Sequence, residues 1–373
     1  MGDSAATSLP LVPGFATSDG TARYKARIES APGHFRERLG ATLSSIGIGT
    51  YLGGHDDATD AAYAGSIATA LETGANVIDS AINYRFQRSE RTIGRMLAGR
   101  FADGVLRRDE LVMCTKGGFL AFDDAPPADA RAWVKDIFID PGIIGWDDIV
   151  SYNVMRPAYI RHQLEASRRN LGLATIDVYY LHNPETQLER LDRRAFLERM
   201  GQCFEELETA SAEGKIRFYG TATWNGYRVA PNDPTYLSLA ELEGLARRIA
   251  GQDHHFRAVQ VPFNLAMPEA FAIENQWLDG GAVSVIEAAR RFDITVFASA
   301  SLLQAKLAIL PRDIKSRIPN LQTDAQRSLQ FVRSTPFVTT ALVGMSRAQH
   351  VTENLHLARV SPLSPEAYAA LYA

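Results

Sequence analysis

From about residue 41 onward the chain repeats one pattern eight times: a short apolar run of strand length, then a segment whose apolar residues recur at helical spacing. The runs are 42–48, 76–79, 111–115, 176–181, 216–221, 258–262, 294–298 and 338–343. The helical segments after them are 60–72, 89–97, 157–171, 193–212, 237–250, 283–291, one around 325–332, and 347–357. Several carry their own boundary signals. Ser89 stands before Glu90 as an N-cap, Pro157 occupies a favourable first-turn position, and Gly214 stops the long helix 193–212. Strands joined by helical crossovers lie parallel. Eight such units fit either a doubly wound open sheet or a closed barrel.

The polar residues at the strand ends choose between them. Asp79 closes the second run, with Tyr84 five residues further on. Lys116 follows the third run and His182 the fourth, before Asn183-Pro184. A (β/α)8 TIM barrel gathers the C-terminal ends of its strands around one mouth, so it brings these four together. The expected organisation is a single barrel domain over 41–373, preceded by a loose N-terminal arm over 1–40. One connection breaks the regular plan, a long loop after strand 3 over 117–156, where strand-to-helix loops usually have about two to six residues. It holds Phe119, Phe122, Trp133, Phe138, Trp146 and Tyr152. It would form either a wall or lid of the pocket or a packing excursion over the side of the barrel.

The four residues make chemical sense as a carbonyl-reducing set. A phenol ionises near pH 10 and is a poor acid at neutral pH unless a cation sits beside it. Lys116 would supply that cation, and Asp79 would keep the ammonium charged in a desolvated pocket. Tyr84 would be the general acid, and His182 a neutral donor to the carbonyl oxygen. No Ser or Cys sits beside a His in an elbow motif, so a nucleophile is not indicated.

Composition narrows the partners. The 373 residues carry a formal charge of -4, which gives no electrostatic reason to expect nucleic acid or an anionic membrane. No apolar run approaches the roughly 18–20 residues of a spanning helix, and the first forty residues lack the apolar block of a signal peptide. Cys114 and Cys203 suggest no disulfide framework, which fits a cytoplasmic, reducing location. His254-His255 have no other ligand-spaced residues nearby, so no metal is expected. Arg85 and Arg88, just past Tyr84, read either as a solvated loop or as attraction for an anionic or polyhydroxy substrate. Oligomeric state is not legible.

Taken together, Gly47-Ile48-Gly49-Thr50-Tyr51, Gly74-Ala75-Asn76-Val77-Ile78-Asp79 running on to Tyr84, and Ser89-Glu90-Arg91-Thr92-Ile93-Gly94 resemble the aldo-keto reductases. So do Thr115-Lys116-Gly117, Tyr180-Leu181-His182-Asn183-Pro184, Gly214-Lys215-Ile216-Arg217 and Gln260-Val261-Pro262-Phe263-Asn264. The resemblance spans roughly residues 40 to 360. It implies a (β/α)8 barrel and hydride transfer between a nicotinamide cofactor and an aldehyde or ketone, without a metal.

The resemblance also implies cofactor contacts. Gly49, Thr50 and Tyr51 match the first-loop contact, and Gln260 the residue that binds the nicotinamide amide. The Ser-Asn pair that usually helps hold that amide is replaced by Ala222-Thr223, leaving Thr223 with one hydroxyl. The aromatic that usually stacks on the nicotinamide after strand seven is absent, and Ser299, Leu302 and Gln304 remain as ribose and pyrophosphate contacts. The segment from Gly344 to Asn354 matches the adenosine-binding helix, whose N-terminus suits a phosphate; Ser346, Glu353 and Asn354 match well, while Met345 stands where a basic residue is usual and His350 where an Arg or Gln is usual. Arg347 is the residue expected to reach a 2′-phosphate, so NADP is the expected cofactor, with NAD possible. The function so implied is an NAD(P)-dependent oxidoreductase acting on a small or sugar-like carbonyl, or on the corresponding alcohol in the reverse direction. The substituted amide pair and missing aromatic keep one alternative open: a nicotinamide-binding regulatory subunit on the same barrel, with slow or vestigial chemistry.

Overall fold

Eight parallel strands close into one barrel in the computed structural model of the chain, which describes residues 9–372. They are β1 (Ile46–Gly49), β2 (Val77–Asp79), β3 (Val112–Gly117) and β4 (Ile176–His182). β5 (Ile216–Ala222), β6 (Phe256–Pro262), β7 (Thr295–Ser299) and β8 (Val338–Gly344) complete the circuit, and β8 pairs back onto β1. Eight helices alternate with them: α1 (Asp57–Thr73), α2 (Arg88–Ala102), α3 (Pro157–Leu171), α4 (Arg193–Ala212), α5 (Leu239–Ala250), α6 (Val285–Arg291), α7 (Asp324–Ser334) and α8 (Ala348–Leu355). The fold expected from the sequence is the fold found.

Side chains alternate along each strand, and the alternation sorts the core into two. Ile48, Ile78, Met113, Tyr179 and Leu181 face outward and pack with the inner faces of the helices, among them Ile93, Leu164 and Phe204. Val77, Val112, Cys114, Val178, Tyr180, Ala258, Phe297 and Leu342 face inward and fill the barrel. Burying each large apolar side chain contributes about 1.5–3 kcal/mol, so the two layers together hold the strands in register.

The N-terminal segment differs from the loose arm expected. Residues 1–8 lie outside the described residues, but Ser18–Ala26 is a helix capped by the Thr17 hydroxyl, with Tyr24 buried. Phe35–Arg38 pairs antiparallel with Ala41–Ser44, so residue 40 is the turn of a hairpin rather than a boundary. Leu39, Ala41 and Leu43 enter the inner core and plug the N-terminal end of the barrel. Asp177, at the foot of β4, anchors this plug: it accepts from the Ala16 and Met113 amides and pairs with Arg108 at 2.6 Å. The run 42–48 is therefore two strands, one of the plug and one of the barrel, which a continuous apolar stretch conceals.

Two further differences concern local chemistry. Ser89 is not the N-cap of α2; Gln87 is, with φ 70° and no side-chain cap bond. Ser89 instead is buried, its hydroxyl 2.7 Å from that of Thr50 and 3.0 Å from that of Ser80. The loop over 117–156 carries a helix over Ala130–Val134 that continues into the wider turn Lys135–Ile139. Val134, Phe138, Ile144 and Val154 pack there with Tyr159 of α3 as a small separate core. The body of the loop is thus an excursion over the side of the barrel, and Phe119 at its start is the loop aromatic that lines the mouth. Among the described residues, no helix is long and apolar enough to cross a membrane.

Candidate active site

Asp79, Lys116, His182 and Gln260 each lie two residues beyond an inward-facing core residue: Val77, Cys114, Tyr180 and Ala258. The period of two makes them the uppermost inward layer, at the C-terminal mouth. Register brings them level, with Asp79 opposite Gly49 and Cys114, Lys116 opposite Tyr180, and both His182 and Gln260 opposite Ala222. Tyr84 comes from the turn after β2. Its ring meets His182 edge-on at 6.0 Å between centroids and Tyr51 at 5.0 Å.

The Lys116 ammonium is the centre of the arrangement. It donates to Asp79 Oδ2 at 2.6 Å, to the Ser80 carbonyl at 2.7 Å and to the Tyr84 hydroxyl at 3.3 Å. Three rotatable N–H donors thus meet three acceptors. Gln260 Nε2 donates to the second Asp79 oxygen at 2.8 Å, which fixes the amide's orientation and leaves its Oε1 as a free acceptor. Thr50 donates to the Asp79 carbonyl and bonds Ser89, so its hydroxyl is spent on holding the first loop to β2.

Burial dominates the titration of these groups. Desolvation raises the Asp79 carboxyl, against the opposing pull of Lys116 and Gln260. Desolvation also works against the Lys116 ammonium, but the Asp79 charge and the Tyr84 phenol more than offset it, and its pKa lies above the ordinary value. We take the pair as ionised, because both oxygens of Asp79 accept from donors and the ammonium is fully coordinated. Tyr84 departs from the expectation of a lowered pKa. Lys116 does act in that direction, yet burial outweighs it and the phenol sits above its ordinary value. His182 is held well below the usual imidazole range by burial and then by Lys116, so the ring is neutral; its Nδ1 has no partner among the described residues.

The two arginines after Tyr84 are neither solvated nor free to attract an anion. Arg85 is buried, pairs with Asp60 of α1 at 2.5 Å and lies over the Tyr63 ring. Arg88 pairs with Asp57, Asp60 and Asp124. Their partners lie on a different helix and loop, which proximity in sequence to Tyr84 could not reveal.

A cleft of about 700 Å³ opens over this layer and runs across β7, β8 and α8. Of the residues expected to touch a cofactor, Gly49, Thr50, Tyr51, Thr223, Gln260, Ser299, Leu302, Gln304, Gly344, His350, Glu353 and Asn354 line it. Ser346 and Arg347 do not; Arg347 is exposed at the N-terminus of α8 and makes no ion pair among the described residues. Thr223 Oγ1 and Asn354 Oδ1 are buried without hydrogen-bond partners, at opposite ends of the cleft. Buried polar atoms are rarely left so, and these two fit a long polar ligand that bridges the cleft. The sequence reading missed Asn83, Leu52 and Trp224, which also line it, while Phe119 was expected there as part of the 117–156 wall. The only signal for Asn83 was its place next to Tyr84.

A family model described as "Aldo/keto reductase family" matches residues 45–230. The NADH-specific methylglyoxal reductase of Escherichia coli (strain K12) is 27% identical over 209 residues, covering 54% of this chain. The match spans about half, 54%, of that protein's length. A putative voltage-gated potassium channel subunit beta of Schizosaccharomyces pombe is 21% identical over 356 residues, 91% of each chain. In structure, an aldo/keto reductase from Klebsiella pneumoniae in complex with NADP and acetate superimposes with a TM-score of 0.61 at 21% identity, covering 92% of this chain and 94% of that one.

Proposed function

The chain belongs to the aldo/keto reductase family, and from that premise we propose that it reduces an uncharged aldehyde or ketone with NADPH, Tyr84 giving the proton. The observation that carries this reading is the Lys116 ammonium, held by Asp79 at 2.6 Å and 3.3 Å from the Tyr84 hydroxyl. A dinucleotide held in the cleft would supply the hydride. Gln260 Oε1 and the Thr223 hydroxyl would hold its amide, with Ser299, Leu302 and Gln304 along its middle. Gly344, Ser346, His350, Glu353 and Asn354 would hold the adenosine end, and Arg347 a 2′-phosphate.

The remaining work falls to the chain's own groups. Neutral His182 donates to the carbonyl oxygen and orients it toward the phenol. As negative charge develops on that oxygen, the Tyr84 hydroxyl passes its proton to it. The phenolate left behind is stabilised by Lys116, which remains charged because Asp79 faces it. The Klebsiella neighbour in complex with NADP supports the cofactor; the Escherichia relative, an NADH-specific methylglyoxal reductase, supports the carbonyl chemistry and keeps NAD as the alternative cofactor.

The walls support an apolar body for the substrate. Tyr51, Leu52, Phe119, Trp224, Leu302 and Leu303 line the cleft. The nearby Arg85 and Arg88 are committed to carboxylates, so neither is free to select an anion. The Schizosaccharomyces relative, named as a channel subunit, and the Ala222-Thr223 substitution favour one second reading, a nicotinamide-binding subunit with slow chemistry.

One experiment separates them: consumption of NADPH and of NADH against a panel of aryl and alkyl aldehydes, wild type beside Tyr84→Phe. We expect turnover that falls by roughly 100-fold or more in the variant, the scale of a lost general acid, with NADPH binding unchanged. Tight binding of either cofactor with no turnover in the wild type would favour the subunit reading.

A further inference from the structure

Tyr84 is carried on a turn that contains no glycine, yet the three residues after it, Arg85, Phe86 and Gln87, have φ of 49°, 56° and 70°. L-residues avoid this region because Cβ crowds the following carbonyl oxygen. A run of three survives only where the surroundings over-determine it.

One fixture of this turn is the pair between Arg85 and Asp60. Both side chains are nearly out of water, at 2% and 10% exposure, and their atoms are 2.5 Å apart. The Arg85 guanidinium lies 4.8 Å from the centre of the Tyr63 ring, and its Nε and second terminal nitrogen have no hydrogen-bond partner among the described residues. Asp60 therefore takes the whole of the directional load. Asp60 and Tyr63 stand three residues apart on α1 and share a face. The Tyr63 hydroxyl donates to the Leu52 carbonyl at 2.7 Å, in the loop that brings Tyr51 and Leu52 to the cleft. The second Asp60 oxygen holds Arg88 at 2.8 Å, where α2 begins. One face of α1 thus grips both the first loop and the turn of Tyr84.

We propose that Asp60, acting through Arg85, is a positioning residue for Tyr84: the buried pair fixes the left-handed turn and so sets the phenol against Lys116 and His182. The proposal rests on the reading of Tyr84 as proton donor. Asp60 touches no reacting atom; its effect is on distance, and a misplacement of about 1 Å in a reacting group costs on the order of 100-fold in rate.

The test is Asp60→Asn, which keeps shape and removes charge, with Arg85→Met and the double variant. We expect kcat to fall on the order of 10- to 100-fold in either single variant, with the dissociation constant for NADPH unchanged. The two residues act as one device, so the double variant should be no slower than the worse single one. The alkaline limb of kcat should also shift in Asp60→Asn, because the spacing of phenol and ammonium changes. A merely structural Asp60 would lower the melting temperature and leave kcat and its pH limb in place, and that result overturns the proposal, as do additive losses. If Asp60→Asn does not fold, Arg85→Lys keeps the charge without the planar fork; wild-type kcat there overturns the proposal, and a lowered kcat with intact NADPH binding supports it. Tyr84→Phe run in parallel separates the two levels. Full turnover in Tyr84→Phe removes the reading of function together with this inference. A dead Tyr84→Phe beside a wild-type Asp60→Asn removes the positioning role alone.

Discussion

His182 and Tyr84 shift in opposite directions for one reason, burial, which penalises whichever form is charged. For the imidazole the charged form is the protonated one, so its pKa falls; for the phenol it is the deprotonated one, so its pKa rises. Between about pH 6 and 8, where an ordinary histidine titrates, His182 stays neutral and Tyr84 stays protonated. We predict that kcat for reduction is flat across that range and declines only on the alkaline side, as the phenol loses its proton. An inflection near pH 6.5 that His182→Gln abolishes would contradict the assignment. At this scale the sequence was legible where a lone polar residue ends an apolar run, as at Asp79, Lys116 and His182. It misled on Arg85, which reads from sequence as solvated or anion-seeking, because Asp60 lies on the preceding helix and nothing in the spacing of the two announces their pair. Thr50 and Ser89 were legible as motif residues but not as partners of each other.

The elements divide in the same way. Helices α3 and α4 end where the sequence says they end, because Pro157 opens one, and Gly172 (φ 65°) and Gly214 (φ 72°) follow them in left-handed conformation. The plug hairpin and the hairpin Gln276–Leu278 with Gly281–Val283 escaped, since their strands are only three or four residues long and Ala41–Ser44 runs straight into the apolar first barrel strand. The excursion over 117–156 was legible as long and aromatic, but its separate core depends on Tyr159 of α3, which the loop's own residues cannot specify. Phe138 is its keystone, meeting Trp133, Tyr159 and His162 edge-on. Phe138→Ala should cost about 3–5 kcal/mol of local stability. We expect faster amide exchange over 120–150 with the barrel strands unaffected. Exchange that accelerates equally in β3 and β4 would mean the excursion is part of the main core.

Across the whole molecule the cleft runs from the ends of β2 to β4 to β8 and α8, and the function proposed above gives its two ends separate tasks, chemistry at the first and anchoring at the second. Arg347 at the N-terminus of α8 is the one basic residue expected to distinguish the phosphorylated dinucleotide, and it is exposed and unpaired among the described residues. Arg347→Ala should weaken NADPH by roughly 10-fold, the worth of one charge-assisted contact, and leave NADH unchanged; fluorescence titration with both cofactors would show it. Equal losses would place the phosphate elsewhere. The barrel itself was legible as a count of strand–helix units, whereas its closure rests on β8 meeting β1, with Gly344 beside Gly49. That seam has a consequence during synthesis. Asp79, Tyr84, Lys116 and His182 are all synthesised before β5, but the ring that joins the two ends of the cleft closes only when β8 emerges and pairs with β1. A nascent chain halted before residue 338 would carry Asp79, Tyr84, Lys116 and His182 but lack Gly344, His350, Glu353 and Asn354 of the cleft, so under the function proposed above tight dinucleotide binding would report the moment the ring closes.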